Sequence, residues 1–478
     1  LLAPYLRKFG CYTVPDFIGT RYGGNLARFC AVVVLTVASF TYVTAQINAT
    51  GTIASVALDI DFKYAVYIGL ISILLCSMLG GMRAVTWTQV AQYIVLIIAY
   101  LLPIFWISNK MGAGFFPHFM LADEVARIGE LEQQFGFVKN SAADLATVPK
   151  GLAGITKAHS AVNATPWAFI SLALAMMMGT ASLPHVMMRY FTTPSVKAAR
   201  KSVGWSLFFI FLLYSSAPML ATLSKLSLID PTLPTGIIGK SFAEVQSIDW
   251  FQNWNQANLM FISDFNGNGT LELNEFFMGG KAVVLATPEI AGLPYVISGL
   301  VAAGGMAAAM STADGLILAI ANAISHDVYY KMIDPKAETA KRLLVARVLL
   351  VVIGFAGATI AAMEIQGILG SVIWAFDFAM SGLFFPLVLG VWWKRANREG
   401  AIAGMVLGLG SAIWYLVWVR NGGSGFLGLT QLTFGIFGAA VSFVSMVVVS
   451  LMTQEPDKAI QKMVDEVRIP SGRTVTGK

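Results

Sequence analysis

The chain has 478 residues, of which 56% are hydrophobic and only 12% are charged, and its mean hydropathy is +0.70. Soluble domains carry about 25% charged residues, so this composition excludes a soluble globular protein and predicts an all-α polytopic membrane protein. The formal net charge of +6 is explained by basic loops on one side of a membrane and requires no nucleic-acid partner.

Ten apolar stretches are long enough to cross a bilayer, because about 20 helical residues span about 30 Å of hydrocarbon. Lys and Arg concentrate in the short loops on one side, which the positive-inside rule places in the cytoplasm. We therefore expect a multi-pass protein of a bacterial-type inner (plasma) membrane, with both ends of the sequence cytoplasmic. The predicted spans are approximately 27–49, 64–80, 86–108, 166–190, 203–222, 293–325, 343–363, 367–391, 400–419 and 427–452.

Two predicted outer loops are long, 109–165 and 223–292, and the first contains an expected amphipathic helix from Asp123 to Phe137. Between them, the span MMMGTASLPHVMMRY contains Pro184, which removes a backbone donor and predicts a kink or an unwound turn. A later span, GLVAAGGMAAAMSTADGLILAIANAISHD, is rich in small residues that let helices approach closely. Broken helices combined with small-residue helices are typical of secondary transporters.

The second long loop contains DFNGNGTLELNE, which has the spacing of a twelve-residue calcium-binding loop. Gly269 provides the sharp turn at the sixth position, and Leu271 at the eighth is expected to be buried. With three carboxylates, the predicted calcium affinity is weak, in the range of about 0.1 to 1 mM. The alternative is a solvated Asn-Gly turn. The candidate calcium ligands are Asp264, Asn266, Asn268, Thr270, Glu272 and Glu275.

Four motifs distributed along the chain resemble those of the sodium/solute symporter family. They are GGMRAVTWTQVAQ, PHVMMRYF, AAAMSTADG with SHDVY, and FPLVLGVWWKRANREGAIAGM. The longer run TASLPHVMMRYFTTPSVKAARKSV resembles the acetate-permease-like (cation/acetate symporter) subfamily. The resemblance implies a core of two five-helix inverted repeats with additional helices outside it.

In that frame, residues 1–452 form the transporter domain and residues 453–478 a cytoplasmic tail. Leu1 corresponds to the end of the second core helix, so we expect the transporter domain to be incomplete at its N-terminus. The first core helix, which in this family supplies part of the ion and substrate sites, would then be missing from the sequence. A tail of this length is too short for a fused kinase domain.

The resemblance also implies a coupling sodium site at Ala308, Ser311 and Thr312. A sodium ion prefers several oxygen ligands, and these residues offer two hydroxyls and a backbone carbonyl within one helical turn. From the residues alone, the alternative to sodium binding is that both hydroxyls donate hydrogen bonds to backbone carbonyls one turn earlier in the same helix. Many family members with a second sodium site carry Asp where this chain has Gln89, so we expect one coupling sodium.

The substrate is expected beside the broken sixth core helix, at Met176, Gly179, Thr180 and Ser182. Met and Thr predict a small and largely apolar pocket, and the amides of an unwound helix suit a carboxylate. The alternative for the methionines is packing. Candidate gating or coupling residues are His185, Arg189, Asp314 and Asp377, for which structural hydrogen bonds are the alternative.

These features predict a sodium-coupled importer of acetate or another short monocarboxylate, working by alternating access. A proline-type amino-acid symporter and a transporter-like nutrient sensor are the alternatives. An enzyme is not expected, because the sequence has no nucleophile and base pair, no transition-metal cluster and no phosphate-binding loop. The expected cofactors are the coupling sodium ion and calcium in the outer loop, and the expected partners are the solute and the lipid bilayer. A small membrane partner subunit remains an open alternative.

Overall fold

The computed structural model describes residues 2–112, 114, 117–135, 166–469 and 474–476. Part of the first long loop and part of the tail, residues 136–165 and 470–473, therefore lie outside the described residues. Within the described part of the chain, nine helices are long and apolar enough to cross a membrane, and Phe62–Met78 is a shorter apolar helix. The prediction of about ten membrane helices is confirmed.

The chain begins with two short helices and two long ones: α1 (Ala3–Phe9), α2 (Val14–Tyr22), α3 (Asn25–Leu58) and α4 (Phe62–Lys110). The α4 helix is interrupted at Gly81, whose φ of 57° and ψ of −161° lie outside helical geometry. Because a side chain is disfavoured at positive φ, glycine is the residue suited to this break. The two halves of α4 correspond to the predicted spans 64–80 and 86–108.

Four helices follow: α5 (Leu121–Gln134), α6 (Pro166–Thr180), α7 (Pro184–Phe191) and α8 (Val196–Ile229). The α5 helix is the predicted amphipathic helix. The span that contains Pro184 is broken as predicted, because α6 ends at Thr180 and α7 begins at the proline. Proline is favoured at the first position of a helix, where its missing N–H has no partner to lose.

Residues 230–294 form a compact region that we call the loop domain. It contains α9 (Phe242–Gln246), α10 (Asp249–Gln256), α11 (Val283–Ile290) and an antiparallel hairpin of β1 (Met260–Ile262) and β2 (Phe276–Met278). Its core includes buried side chains from α10, both strands and the end of α8, and it extends to α5. The loop domain therefore has a hydrophobic core outside the membrane helices.

Two ion pairs hold α5 against α8 and the start of the loop domain. Lys225 pairs with Glu132, and Arg127 pairs with Asp230. Burial opposes ionisation of Asp230, but hydrogen bonds from Thr232 and the Arg127 guanidinium outweigh burial, so the pKa of Asp230 lies below its usual value.

The remaining helices are α12 (Tyr295–Asn322), α13 (Thr339–Ala362), α14 (Ile368–Ala379), α15 (Phe385–Trp392), α16 (Arg398–Arg420), α17 (Gly435–Met452) and α18 (Lys458–Arg468). Helix α12 continues as a π-helix over Ala323–Ile333, and a π-helical turn, Met380–Phe384, joins α14 to α15. The predicted span 427–452 began too early. Leu427 has a φ of 53°, and Thr430 and Thr433 form a hydrogen-bonded turn, so the helix begins only at Gly435.

Helix α3 lies at the centre of the bundle and packs on α4, α12 and α14, while α16 pairs with α17. Helix α7 contacts α12, and α1 contacts α7 and α8. The tail returns to α1: Val475 N donates to the Lys8 carbonyl at 2.9 Å, and Thr476 N donates to the Phe9 carbonyl at 3.1 Å. The Thr476 hydroxyl donates to the Gly10 carbonyl at 2.7 Å, so the tail satisfies carbonyls at the C-terminal end of α1.

Candidate functional site

The four predicted substrate residues lie within seven consecutive positions, 176–182, at the end of α6 and in the break before α7. The Thr180 hydroxyl donates to the Met176 carbonyl at 2.7 Å, and the buried Ser182 hydroxyl donates to the Met178 and Gly179 carbonyls at 2.8 and 3.0 Å. These carbonyls belong to the last turn of α6, whose acceptors lose helical partners at the break. Both hydroxyls therefore stabilise the end of α6.

Gly179 allows α6 to approach α14 closely. A Cβ at Gly179 would lie 2.5 Å from the Phe376 Cβ and 2.9 Å from the Phe376 carbonyl oxygen. The ring of Tyr42, on α3, lies 5.6 Å from the Phe376 ring and 5.7 Å from the His185 imidazole. The sequence carried no motif that singled out Tyr42 or Phe376, and only the packing of α3, α6, α7 and α14 shows that these aromatic rings border the break.

The three predicted sodium ligands lie together on α12. The Ser311 and Thr312 hydroxyls both donate to the Ala308 carbonyl, at 2.9 and 3.4 Å. This is the back-bonded alternative considered for the sequence, but it does not exclude a cation, because a hydroxyl that donates its proton retains two lone pairs. Three oxygen atoms are therefore available within one turn.

Helix α4 contacts the same turn of α12 from both sides of its break. Ser77, before the break, donates to Asp314 Oδ1 at 2.9 Å, and Gln89, after the break, donates through Nε2 to the Ser311 carbonyl. Asp314 is fully buried, and its other carboxylate oxygen has no hydrogen-bond partner among the described residues. The sequence provided no sign of the Ser77 contact, because 237 positions separate the two residues.

Two further candidates, His185 and Arg189, reach α12 from α7. A Cβ at Gly315 would lie 3.2 Å from Arg189 Nη2 and 3.9 Å from the His185 Cβ. These residues therefore lie against Gly315, the residue that follows Asp314 on α12. Asp377 is fully buried elsewhere, against Gly435 at the start of α17, while the neighbouring Phe376 faces Gly179. The structure thus brings three of the four coupling candidates together and leaves Asp377 apart.

The predicted calcium loop connects the two strands of the loop domain. Asp264 accepts hydrogen bonds from the Gly267 and Gly269 amides at 2.7 and 3.0 Å. Glu275 is fully buried, and its two oxygens accept from the Phe265 and Glu272 amides, each at 2.9 Å. Gly267 and Gly269 both have a φ of 71°, and Leu271 is buried as predicted.

A cavity of about 260 Å³ lies between α3, the end of α13 and α14, and its walls are mainly apolar. Its polar groups include Thr41, Thr44 and Asn48 on α3. Glu364 also lines the cavity and pairs with Lys281 of the loop domain at 2.9 Å. The loop domain is therefore attached to the rim of a cavity that reaches into the helix bundle.

A charged cluster that sequence analysis did not identify joins α2, α3 and the π-helical end of α12. Arg28 lies 3.6 Å from both Asp16 and Asp327, and the Thr13 hydroxyl donates to Asp327 at 2.6 Å. His326 contributes a ring nitrogen to the same cluster. Because the guanidinium lies against both carboxylates, the cluster is an ion-pair network. The SHDVY motif contains two of its members.

Comparison with known proteins finds similarity to membrane transporters along most of the chain. The model of the sodium:solute symporter family matches residues 1–226 and 281–408. An uncharacterized symporter of Cupriavidus necator is 35% identical over 562 residues, covering 98% of this chain and 81% of the relative. A monocarboxylic acid transporter of Corynebacterium glutamicum is 27% identical over 423 residues, covering 86% and 67%.

Among solved structures, a substrate-bound, outward-open Na⁺-coupled sialic acid symporter aligns with a TM-score of 0.62 at 16% identity. The alignment covers 96% of this chain and 80% of that protein. This likeness confirms the predicted inverted-repeat fold.

Proposed function

The chain belongs to the sodium:solute symporter family, and on that basis we propose that it imports acetate or another short monocarboxylate together with sodium. The family and the relatives are transporters, so the chain is a sodium-coupled membrane transporter and not an enzyme. The monocarboxylate assignment draws support from the Corynebacterium relative and from the close packing of Gly179 on Phe376 beside the break between α6 and α7.

The observation that carries the proposal is the contact between the broken helix and the ion-binding turn. Helix α7 begins at the break and packs on α12 at Gly315, one turn from the Ser311 and Thr312 hydroxyls. A solute at the break and a sodium ion on α12 would therefore both act on the contact between α7 and α12. The proposed solute-binding residues are Met176, Gly179, Thr180 and Ser182, and the proposed sodium ligands are Ala308, Ser311 and Thr312. Such a contact allows one ligand to favour the conformation that binds the other.

The carboxylate of the solute would lie at the start of α7. A helix begins with free backbone N–H groups and a partial positive charge, both of which suit an anion. Gly179 allows α6 to pack closely against Phe376, and this close packing favours a small solute. His185, Arg189 and Asp314 would transmit solute binding from α7 to α12, and Asp377 would act in gating at the contact between α14 and α17.

Uptake of labelled acetate by the full-length protein in proteoliposomes tests the proposal. We expect an inward sodium gradient to drive uptake and Ser311→Ala/Thr312→Ala to abolish it. Ser298→Ala is the matched control, because it removes a hydroxyl from the same helix outside the ion-binding turn. Uptake driven only by a proton gradient would refute sodium coupling. Uptake of proline but not acetate would establish the amino-acid alternative, and binding without uptake would establish a sensor.

We also propose that the loop from Asp264 to Glu275 binds calcium weakly through Asp264, Asn266, Asn268, Thr270, Glu272 and Glu275. The buried carboxylate of Glu275 and the two left-handed glycines support this assignment, because a twelve-residue calcium loop requires a sharp turn and a carboxylate at its last position. Bound calcium would order the loop domain at the rim of the cavity, where Lys281 pairs with Glu364.

Calcium titration of the thermal unfolding temperature tests this assignment. Millimolar calcium, but not magnesium, is expected to raise the unfolding temperature of the wild type and to have no effect on Glu275→Gln. Glu244→Gln, in an exposed helix cap of the same domain, is expected to retain the response. An equal response in all three proteins would refute the site.

The proposed location is a bacterial-type inner membrane with both described ends in the cytoplasm. Residues 1–452 form the transporter domain in this proposal, and residues 453–478 form the tail. Arg7, which donates to the Thr193 carbonyl, and Lys394, which pairs with Asp465, contribute to the basic side. Labelling of single cysteines with a membrane-impermeant reagent checks the orientation: Thr476→Cys is expected to be protected in intact cells and Asn268→Cys to react.

A further inference from the structure

A groove of about 630 Å³ lies at one end of the helix bundle, between the end of α2, the start of α16 and the chain that follows α17. Two of the candidate membrane spans, Arg398–Arg420 and Gly435–Met452, begin and end at this groove. The exposed side chain of Met452 lines its edge. Because the ends of membrane spans lie where hydrocarbon gives way to polar headgroups, the groove is at headgroup depth.

Arg21 is a buried cation in the wall of this groove, and its side chain is only 1% exposed. Its Nε donates to the Gly390 carbonyl at 2.8 Å, and its Nη2 donates to the Trp393 carbonyl at 3.0 Å. The third nitrogen, Nη1, has no hydrogen-bond partner among the described residues, and no described carboxylate forms an ion pair with the guanidinium. A buried charge without a counter-ion is unfavourable, so an anion in the groove would stabilise Arg21.

Arg398 brings a second guanidinium to the same groove. A Cβ at Gly24 would lie 3.0 Å from the Arg398 Cζ, so this side chain crosses the backbone just after α2. Arg398 is exposed and forms no hydrogen bond or ion pair through its side chain in the part of the chain that the structure describes. Arginine suits phosphate particularly well, because its planar N–H groups match the phosphate oxygens.

The groove also contains carboxylates. Glu399 and Asp457 line it, both are exposed, and neither side chain is paired within the described ranges. Glu455 differs from them, because it lies 3.5 Å from Arg395 and is neutralised by it. The groove therefore offers unpaired groups of both signs, which suits a ligand that carries a negative and a positive group together.

From this arrangement we propose that the groove binds the headgroup of one membrane phospholipid that carries a phosphate diester and a primary ammonium, the chemistry of phosphoethanolamine. The phosphate accepts hydrogen bonds from Arg21 and Arg398, and the ammonium donates to Glu399 and Asp457. The acyl chains leave the groove past Met452. Such a lipid would join α2 to α16 at the membrane surface, and its binding does not depend on which solute the protein transports.

Native mass spectrometry of the full-length purified protein tests the proposal. The protein is released from micelles that contain equal amounts of short-chain phosphatidylethanolamine, phosphatidylglycerol and phosphatidylcholine. We expect one phosphatidylethanolamine to be retained in preference to the other two lipids. Arg398→Gln should raise its Kd about ten- to a hundredfold, because the lost hydrogen bonds join two charged groups.

Arg200→Gln is the matched control, since Arg200 is an exposed arginine near the start of another membrane helix, α8. It should retain the lipid as the wild type does. Arg21→Gln should also release the lipid, but it removes two hydrogen bonds from the end of α15 as well, so the exposed Arg398 provides the decisive variant.

Glu399→Gln separates recognition of the ammonium from general attraction to phosphate. This variant should lose part of the preference for phosphatidylethanolamine over phosphatidylglycerol, while retention of phosphatidylglycerol does not fall. A purely structural role of Glu399 would leave the ratio of the two lipids unchanged. The unfolding temperature in millimolar inorganic phosphate, measured without added lipid, distinguishes a lipid from a free anion and should not rise.

Equal retention of the three lipids, or retention that Arg398→Gln leaves unchanged, would overturn the site. A preference for phosphatidylglycerol would overturn the assignment of the ammonium partner. A rise in unfolding temperature with inorganic phosphate that Arg398→Gln abolishes would replace the lipid with a soluble phosphate and so overturn the proposed occupant.

Discussion

Gly179→Ala is the substitution for which the structure predicts the sharpest loss of function. The added Cβ would lie 2.5 Å from the Phe376 Cβ, 2.9 Å from its Cα and 2.9 Å from its carbonyl oxygen. Real Cβ atoms do not approach other atoms so closely, and two of the three atoms belong to the backbone. Rotation of the Phe376 side chain therefore cannot relieve the clash, and α6 must move away from α14.

Overpacking of this kind costs about 1–3 kcal/mol. Since about 1.4 kcal/mol is a factor of ten in an equilibrium constant, the conformation with α6 packed on α14 should be about 5- to 150-fold less populated. We expect acetate uptake to fall by a comparable factor at equal amounts of protein in the membrane.

The assay is initial uptake in proteoliposomes, normalised to reconstituted protein. Gly204→Ala is the matched control: Gly204 lies within α8, and among the described residues no atom beyond its own stretch of helix backbone lies within 4 Å of its Cβ position, so alanine should be neutral or slightly stabilising. Wild-type uptake by Gly179→Ala would show that α6 does not need this close contact during transport, and would refute the reasoning.

Three further predictions concern other parts of the molecule. Arg28→Gln removes the guanidinium that pairs with the buried carboxylates Asp16 and Asp327. The loss should lower the free energy of unfolding by about 3–5 kcal/mol and reduce the yield of monodisperse protein. Arg28→Lys should retain most of the wild-type yield. Tyr42→Ala should raise the KM for the solute more than Tyr42→Phe, because the ring rather than the hydroxyl contacts the aromatic groups at the break. Because its folded pKa is lowered, Asp230 contributes stability that is present above the ordinary Asp pKa of about 3.9 and is lost only as the pH falls through the folded value. The protection of the α5 amides from hydrogen exchange, relative to the intrinsic exchange rate at each pH, should therefore stay high at pH 5 and fall only below about pH 4. Loss of this protection at pH 5 would contradict the assignment.

The features that the sequence predicted correctly depend on local chemistry. Pro184 lacks a backbone N–H and disfavours continuation of the preceding helix, so the sequence correctly predicted an interruption at this position. The buried Leu271 and the turn at Gly269 follow in the same way from the spacing of one loop. The start of α17 was misplaced because residues 427–434 are apolar enough for a span, and a hydrogen-bonded threonine turn overrides their hydropathy.

The contacts that the sequence did not predict join residues that are far apart in the chain. Ser311 and Thr312 were identified as candidate ligands, but the contacts of Gln89 with Ser311 and of Ser77 with Asp314 depend on how α4 crosses α12. Arg28 meets its acidic partners for a similar reason. No local pattern encodes such crossings, since each depends on the packing of complete helices.

The hydrogen bonds between the tail and α1 impose an order on biosynthesis. The carbonyls of Lys8, Phe9 and Gly10 accept hydrogen bonds from Val475 and Thr476, and Thr476 is translated 466 positions after Gly10. The end of α1 therefore waits for nearly the whole chain before its final hydrogen bonds form. A reporter protein inserted directly after Thr476 would lie beside the end of α1, so a flexible spacer is needed wherever such an insertion is used to follow expression.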